Sequence, residues 1–118
     1  MSEDSLTELN LYLKEFAQKR DWEQFHSPKN LSMALSGEAG ELLEHFQWLT
    51  EEQSYQLDAG QIKDVSHEMA DILIYLLRLS ERLDIDLVAA VKEKMAINEK
   101  RFPVEKVKGL AVRGDQIE

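Results

Sequence analysis

The sequence predicts an all-α fold, a four-helix bundle, and three observations carry that prediction. Apolar residues recur at helical spacing through four segments, capping and breaking residues separate those segments, and no stretch sustains the alternation of a strand. The first helix is expected to open at Ser5-Leu-Thr-Glu8, which has the form of a capping box. It then carries Leu6, Leu9, Leu13 and Phe16 inward and runs to about Lys19. A short aperiodic segment, Arg20-Asp-Trp-Glu-Gln-Phe-His26, follows, and Ser27-Pro28 supplies an N-cap and first-turn proline for the next helix. That second helix is predicted from Pro28 to about Leu49, on a stripe of Leu31, Ala34, Leu42 and Leu49. Thr50 to Gly60 is polar and reads as the one substantial loop, with Asp58-Ala-Gly60 as a turn signal.

The third helix is predicted over about Gln61 to Leu83. Its core stripe contains Ile62, Val65, Met69, Ile72, Leu73, Leu76 and Leu83, and the run Ile72 to Leu77 holds no charge at all. A helix apolar nearly all round is buried nearly all round, which in so small a domain implies a second copy of the chain. Asp84-Ile-Asp86 breaks and recaps the chain, and a fourth helix runs from about Leu87 to Arg101 with Val88, Val91 and Met95 inward. Pro103 stops it, and the remainder to Glu118 reads as loose. The expected organisation is one domain over 1–109 and a flexible tail over 110–118.

Composition narrows the function. A chain of 118 residues supports one hydrophobic core. Its net charge of -9 would repel a nucleic-acid polymer, so a phosphate-bearing ligand has to be small and accompanied by a divalent cation. The absence of cysteine excludes disulfides, thiolate metal sites and a cysteine nucleophile. With no long uncharged apolar run, no membrane span is expected, and with an acidic opening no secretory signal; the expected location is the cytoplasm. No Walker-type glycine-rich loop is present, which excludes ordinary P-loop hydrolysis.

The chemistry concentrates in two acidic pairs, Glu38-Ala-Gly-Glu41 and Glu68-Met-Ala-Asp71. Their i, i+3 spacing puts each pair on one helical face, so four carboxylates from two helices are expected to converge. Glu38 and Glu41 fall within the apolar stripe of their helix and are expected to point inward. Like charges held together there repel unless a cation neutralises them, and hard oxygen ligands suit Mg²⁺, with Mn²⁺ as a second fit. Gly37 and Gly40 each cost a helix interior roughly 1 kcal/mol relative to alanine, which suggests a close approach by backbone or ligand. His45 and Trp48 share the stripe of Glu41, and Trp48 would stand about 10 Å along the helix axis from it. Tyr75 flanks the third helix's stripe, while Lys94, Asn98 and Arg101 make a polar stripe able to meet phosphate or sugar.

Two other classes compete with a metal-dependent enzyme. A di-iron carboxylate bundle wants Glu-x-x-His from two helices, whereas Glu41 with His45 is i, i+4 and Asp64 with His67 lacks the glutamate. A non-catalytic helical dimerisation module would have no need of four interior carboxylates.

The acidic pairs, their spacer of some two dozen residues and the helices that carry them resemble the MazG-like family of nucleoside triphosphate pyrophosphohydrolases. The likeness runs from about Leu6 to Gly109 and is strongest to the dCTP pyrophosphatase branch. It rests on Arg20-Asp-Trp22-Glu-Gln-Phe25-His26, on Gly37-Glu38-x-Gly40-Glu41-Leu42 through Phe46-Gln-Trp48, on Glu68-x-x-Asp71-x-Leu-Ile-Tyr75, and on Lys94-Met-x-x-Asn98-x-x-Arg101-Phe-Pro103. The resemblance implies an all-α bundle completed by oligomerisation, as a dimer or a dimer of dimers. It also implies Mg²⁺-dependent hydrolysis between the α- and β-phosphates of a deoxynucleoside triphosphate, dCTP or a modified dCTP, in cleansing the nucleotide pool. It makes Glu38, Glu41, Glu68 and Asp71 the metal ligands. Of these, Glu41 is favoured over Glu38 for activating water. Base recognition is assigned to Trp22, Phe25, His26, Trp48 and Tyr75, and phosphate or sugar contacts to Lys94, Asn98 and Arg101. Some relatives of this branch carry a histidine where Leu13 stands, which leaves the base preference open at that position.

Overall fold

Asp58 marks where the longest helix begins, and the cap explains why. In a computed structural model that describes residues 3–111, with side chains from Ser5 onward, the Asp58 carboxylate accepts from Gln61 N at 2.8 Å and the Gln61 side chain accepts from Asp58 N at 2.9 Å. This reciprocal pair satisfies two donors that a helix start would otherwise leave open. The helix therefore begins at Ala59, two residues earlier than periodicity suggested.

Every regular element among the described residues is helical, as expected from the apolar spacing. In order they form α1 (Glu3–Lys19), a 3₁₀ turn (Glu23–Phe25), α2 (Pro28–Glu44), α3 (Glu51–Ser54), α4 (Ala59–Arg82), α5 (Leu87–Arg101) and α6 (Val104–Val107). Ser5 stands inside α1 and so is not the N-cap that the capping box expected at Ser5-x-x-Glu8 requires. α2 is capped as its sequence predicts, with Ser27 Oγ accepting from Asn30 N at 3.1 Å and Pro28 at the first position.

α2 stops one turn short of its expected end at Leu49. From His45 the chain tightens into turns, with Phe46 N donating to Leu43 O at 2.9 Å and Leu49 N to Phe46 O at 2.9 Å. Thr50 then adopts an extended backbone to cap α3 through its own capping box with Gln53. An extended residue cannot continue a helix, so the polar stretch read as pure loop contains a helical turn, and Trp48 leaves the stripe of Glu41.

Two aspartates end the helices that frame the site. Asp21 (φ 56°) and Asp84 (φ 55°) take the left-handed conformation that usually falls to glycine. Trp22 N donates to Ala17 O at 2.9 Å and Asp21 N to Gln18 O at 3.1 Å; Ile85 N and Asp84 N repeat this onto Ser80 O and Glu81 O. Each is a Schellman closure, which satisfies the last carbonyls and turns the chain sharply.

The chain divides into two compact units, 1–85 and 86–118. In the first, α4 packs against α2 and α1, and its core gathers Ala17 from α1, Leu31 from α2, and Val65 and Leu77 from α4. That core is thin for helices this long. Met33 and Leu43 on α2 and Ile62 and Met69 on α4 stand more than half exposed, so the stripe expected to carry Ile62 and Met69 into the core leaves them as an uncovered apolar flank of α4. The second unit holds α5, whose bounds match those expected, and α6, a helical turn beyond Pro103 where loose chain was expected. The expected tail lies outside the described residues from position 112 on. Among the described residues no helix is long and apolar enough to cross a membrane.

Candidate active site

Three of the four acidic residues meet where α2 packs on α4. One carboxylate oxygen each from Glu38, Glu41 and Glu68 lie within 4.8 Å of one another. Glu38 and Glu68 are half-buried, and each has its Oε2 shut off from solvent with no hydrogen-bond partner. Glu41 does not point inward as expected but is exposed, because three residues along a helix advance the direction by less than a full turn and carry it to the rim. Asp71, one turn beyond Glu68, is half-buried and stands beside the trio without joining it; its charge still reaches Glu38.

Crowding shows in the protonation of Glu38. Its pKa rises from the ordinary glutamate value to about 7, first because its protonated form shares a hydrogen bond with Glu68, then through burial, then through Glu41 and the negative charge of Asp71. Such a set has more negative charge and more open acceptors than it can satisfy by itself. Orphaned buried oxygens on two helices, with a third carboxylate at the rim, fit a hard divalent cation. The glycines are another matter: a Cβ built on Gly37 or Gly40 meets nothing within 4 Å. The close approach they suggested is therefore not made by any described atom of this chain. His45, the C-cap of α2, comes to 3.9 Å of Glu68 Oε1 through Nε2.

Next to the carboxylates a cleft of about 280 Å³ opens between α1, the 3₁₀ segment and α4, near the lower size of a small-molecule site. Asp71 lines it together with Trp22, His26, Tyr75 and Arg78, over an apolar wall that includes Leu13 and Ile74. Phe16 on α1 holds Trp22 edge-on, ring centroids 5.8 Å apart at 66°, and Trp22 in turn lies 6.3 Å from the His26 ring.

Two arginines one turn apart on α4 pin this segment. Arg82 Nε donates to His26 O at 3.1 Å and Arg78 Nε to His26 Nδ1 at 3.4 Å. Glu23 Oε1 lies 4.0 Å from Arg78 Nη2 and 3.9 Å from Arg82 Nη1. Burial first, then Arg78 and Arg82, hold the His26 pKa below its ordinary value, with Glu23 opposing.

Of the residues singled out in the sequence, the structure brings Glu38, Glu41 and Glu68 together and sets Asp71, Trp22, His26 and Tyr75 around the adjoining cleft. Phe25, on the 3₁₀ turn, and Trp48, on the turn after α2, are exposed and do not line that cleft, Trp48 being 86 % accessible. Lys94, Asn98 and Arg101 share one stripe of α5 in the second unit, whereas the cluster and cleft are built by the first. Arg78 was missed by the sequence reading. Its signal was there, since Asp71, Tyr75 and Arg78 follow at i, i+4, i+7 and share a face.

Fold and site together define an all-α protein with a carboxylate centre between two helices beside an aromatic cleft. Residues 33–117 match the MazG-like family, and the chain belongs to it. It is 43 % identical over 114 residues to dCTP pyrophosphatase 1 of Bos taurus, an alignment covering 95 % of this chain and 68 % of the relative. To dCTP pyrophosphatase 1 of Homo sapiens it is 44 % identical over 103 residues, covering 86 % of this chain and 61 % of that one. The chain thus spans roughly two thirds of the length of these mammalian relatives. Among solved structures it is similar to a pyrophosphatase from Archaeoglobus fulgidus, with a TM-score of 0.80 and 40 % sequence identity over 84 % of this chain and 93 % of that one.

Proposed function

We infer that the protein is a nucleoside triphosphate pyrophosphohydrolase that cleaves a deoxynucleoside triphosphate, dCTP or a modified dCTP first among them, to the monophosphate and pyrophosphate. The observation that carries this reading is the position of Asp71, which lines the aromatic cleft and whose charge acts on Glu38 in the carboxylate cluster. A base in the cleft then has its phosphates beside the carboxylates. The dCTP pyrophosphatases among its relatives support the choice of nucleotide.

Glu38, Glu41, Glu68 and Asp71 would hold Mg²⁺, with Mn²⁺ as a second fit, through carboxylate oxygens of which Glu38 Oε2 and Glu68 Oε2 are left without partners. When bound, the cation supplies neutralisation of the triphosphate's charge and activation of water. Glu41, the member of the cluster open to solvent, orients the attacking water and takes its proton, with Glu38 beside it. Trp22 and Tyr75 offer faces for stacking and His26 a hydrogen bond to the base edge. In this reading Phe25 and Trp48 contribute as exposed aromatics, and Lys94, Asn98 and Arg101 as phosphate or sugar ligands.

The uncovered apolar flank of α4 supports a homo-oligomer, a dimer or a dimer of dimers. The expected role is cleansing of the nucleotide pool in the cytoplasm, for which the cysteine-free sequence is suited. A panel of canonical and modified triphosphates, read by pyrophosphate release with Mg²⁺, tests the activity. Preferential turnover of cytosine deoxynucleotides supports the reading, and release of orthophosphate alone, or no turnover of any triphosphate, overturns it.

A further inference from the structure

Among the described residues of the first unit, the most deeply buried charge stands outside the carboxylate cluster. Arg78 is 2 % exposed, yet it lines the aromatic cleft. Its Nη1 binds Glu81 Oε2 at 3.0 Å, its buried Nη2 has no hydrogen-bond partner, and its Nε faces His26 Nδ1 at 3.4 Å. Burying a guanidinium is costly unless its donors are used, so what they do matters.

Arginine has donors and no acceptor, and it stays protonated in proteins. The ring nitrogen that faces Nε must therefore carry a lone pair. In a neutral imidazole the proton is then on the other nitrogen, Nε2. Burial together with the positive charges of Arg78 and Arg82 disfavours the charged ring, against Glu23. Arg82 holds the carbonyl of the same residue, so the ring is tied at both backbone and side chain.

We propose that Arg78 is a specificity-determining positioning residue: by occupying Nδ1 it holds His26 as the Nε2–H tautomer, so that His26 offers the cleft a donor and reads an acceptor on the bound base. Cytosine has such acceptors at O2 and N3. The proposal rests on the reading of the cleft as the base site, and its test separates the two.

Long-range proton–nitrogen correlation spectra of the ligand-free parent protein at neutral pH report the tautomer directly. His26 is expected with Nδ1 unprotonated and Nε2 protonated; a protonated Nδ1 overturns the proposal without any variant being made. Arg78→Met and the charge-retaining Arg78→Lys both lose the Nε donor. Each is expected to mix the His26 tautomers and to raise KM for dCTP by about tenfold, the worth of one hydrogen bond, with kcat within about threefold. Cytosine discrimination should fall with it. Arg78→Lys gives the same readout should Arg78→Met fail to fold. An unchanged tautomer and unchanged KM in Arg78→Lys overturn the role of Arg78. If His26→Phe leaves KM and base preference untouched while the parent holds the Nε2–H form, the base-site reading is what fails.

Discussion

Glu38 on α2 and Glu68 on α4 each bury one carboxylate oxygen, Oε2, that finds no partner while both groups are ionised, and the two residues stand together with Glu41 in one cluster. Two acceptors orphaned side by side, on helices from different parts of the chain, are a standing cost to the fold that a cation relieves.

Metal addition should therefore stabilise the protein, in a pH-dependent way. Glu38 binds its proton more tightly folded than unfolded, since its pKa rises to about 7. The folded chain thus holds more protons between the unfolded carboxyl range and pH 7, and stability of the metal-free protein should fall as pH rises through that window. Melting of chelator-treated protein from pH 5 to 8 should show this decline. Glu38→Gln should flatten it, and Mg²⁺ should raise the midpoint most at the alkaline end. A midpoint indifferent to Mg²⁺ at pH 8 would sink the metal assignment.

Glu41 separates chemistry from folding, because it is exposed whereas Glu38 and Glu68 are half-buried. Glu41→Gln preserves size and removes the charge, so it should leave the melting temperature nearly unchanged and reduce kcat by about 10²- to 10⁴-fold, the usual worth of a general base. Steady-state kinetics beside a thermal melt would check this. A near-normal kcat would move the role to another carboxylate.

Trp22 and Trp48 are separable by position. Trp22 lines the cleft, held by Phe16, and Trp48 stands exposed on the turn after α2. Base stacking is worth roughly 1–3 kcal/mol, so Trp22→Ala should raise KM for dCTP by about tenfold or more. Tryptophan fluorescence of the Trp48→Phe protein should still quench on adding a non-hydrolysable dCTP analogue, since the cleft tryptophan remains. Loss of all quenching in that variant would transfer the stacking role to Trp48.

The apolar flank of α4 makes a prediction about assembly. Sedimentation at micromolar concentration should show a dimer or a dimer of dimers, and Met69→Glu or Ile62→Glu, at exposed positions outside the cleft, should dissociate it. Ile74 is a poorer choice, because it lines the cleft and its replacement would confuse assembly with binding. A well-behaved monomer would overturn the expectation.

The sequence by itself determined what depends on short spacings: the all-α class, the cap at Ser27, the bounds of α5, and the register that brings Glu38, Glu41 and Glu68 together. Helical periodicity and capping are local, so a few neighbouring residues suffice to specify them. Tertiary structure alone decided which side of that register faces water. It left Glu41 exposed while burying oxygens of Glu38 and Glu68, and left open space beside Gly37 and Gly40. It also joined Arg78 to His26, 52 residues apart. Burial depends on where neighbouring helices lie, and a hydrogen bond between distant residues requires both helix ends to be turned toward each other. The left-handed Asp21, a conformation more usual for glycine, contributes the turn that leads from α1 into the segment of His26.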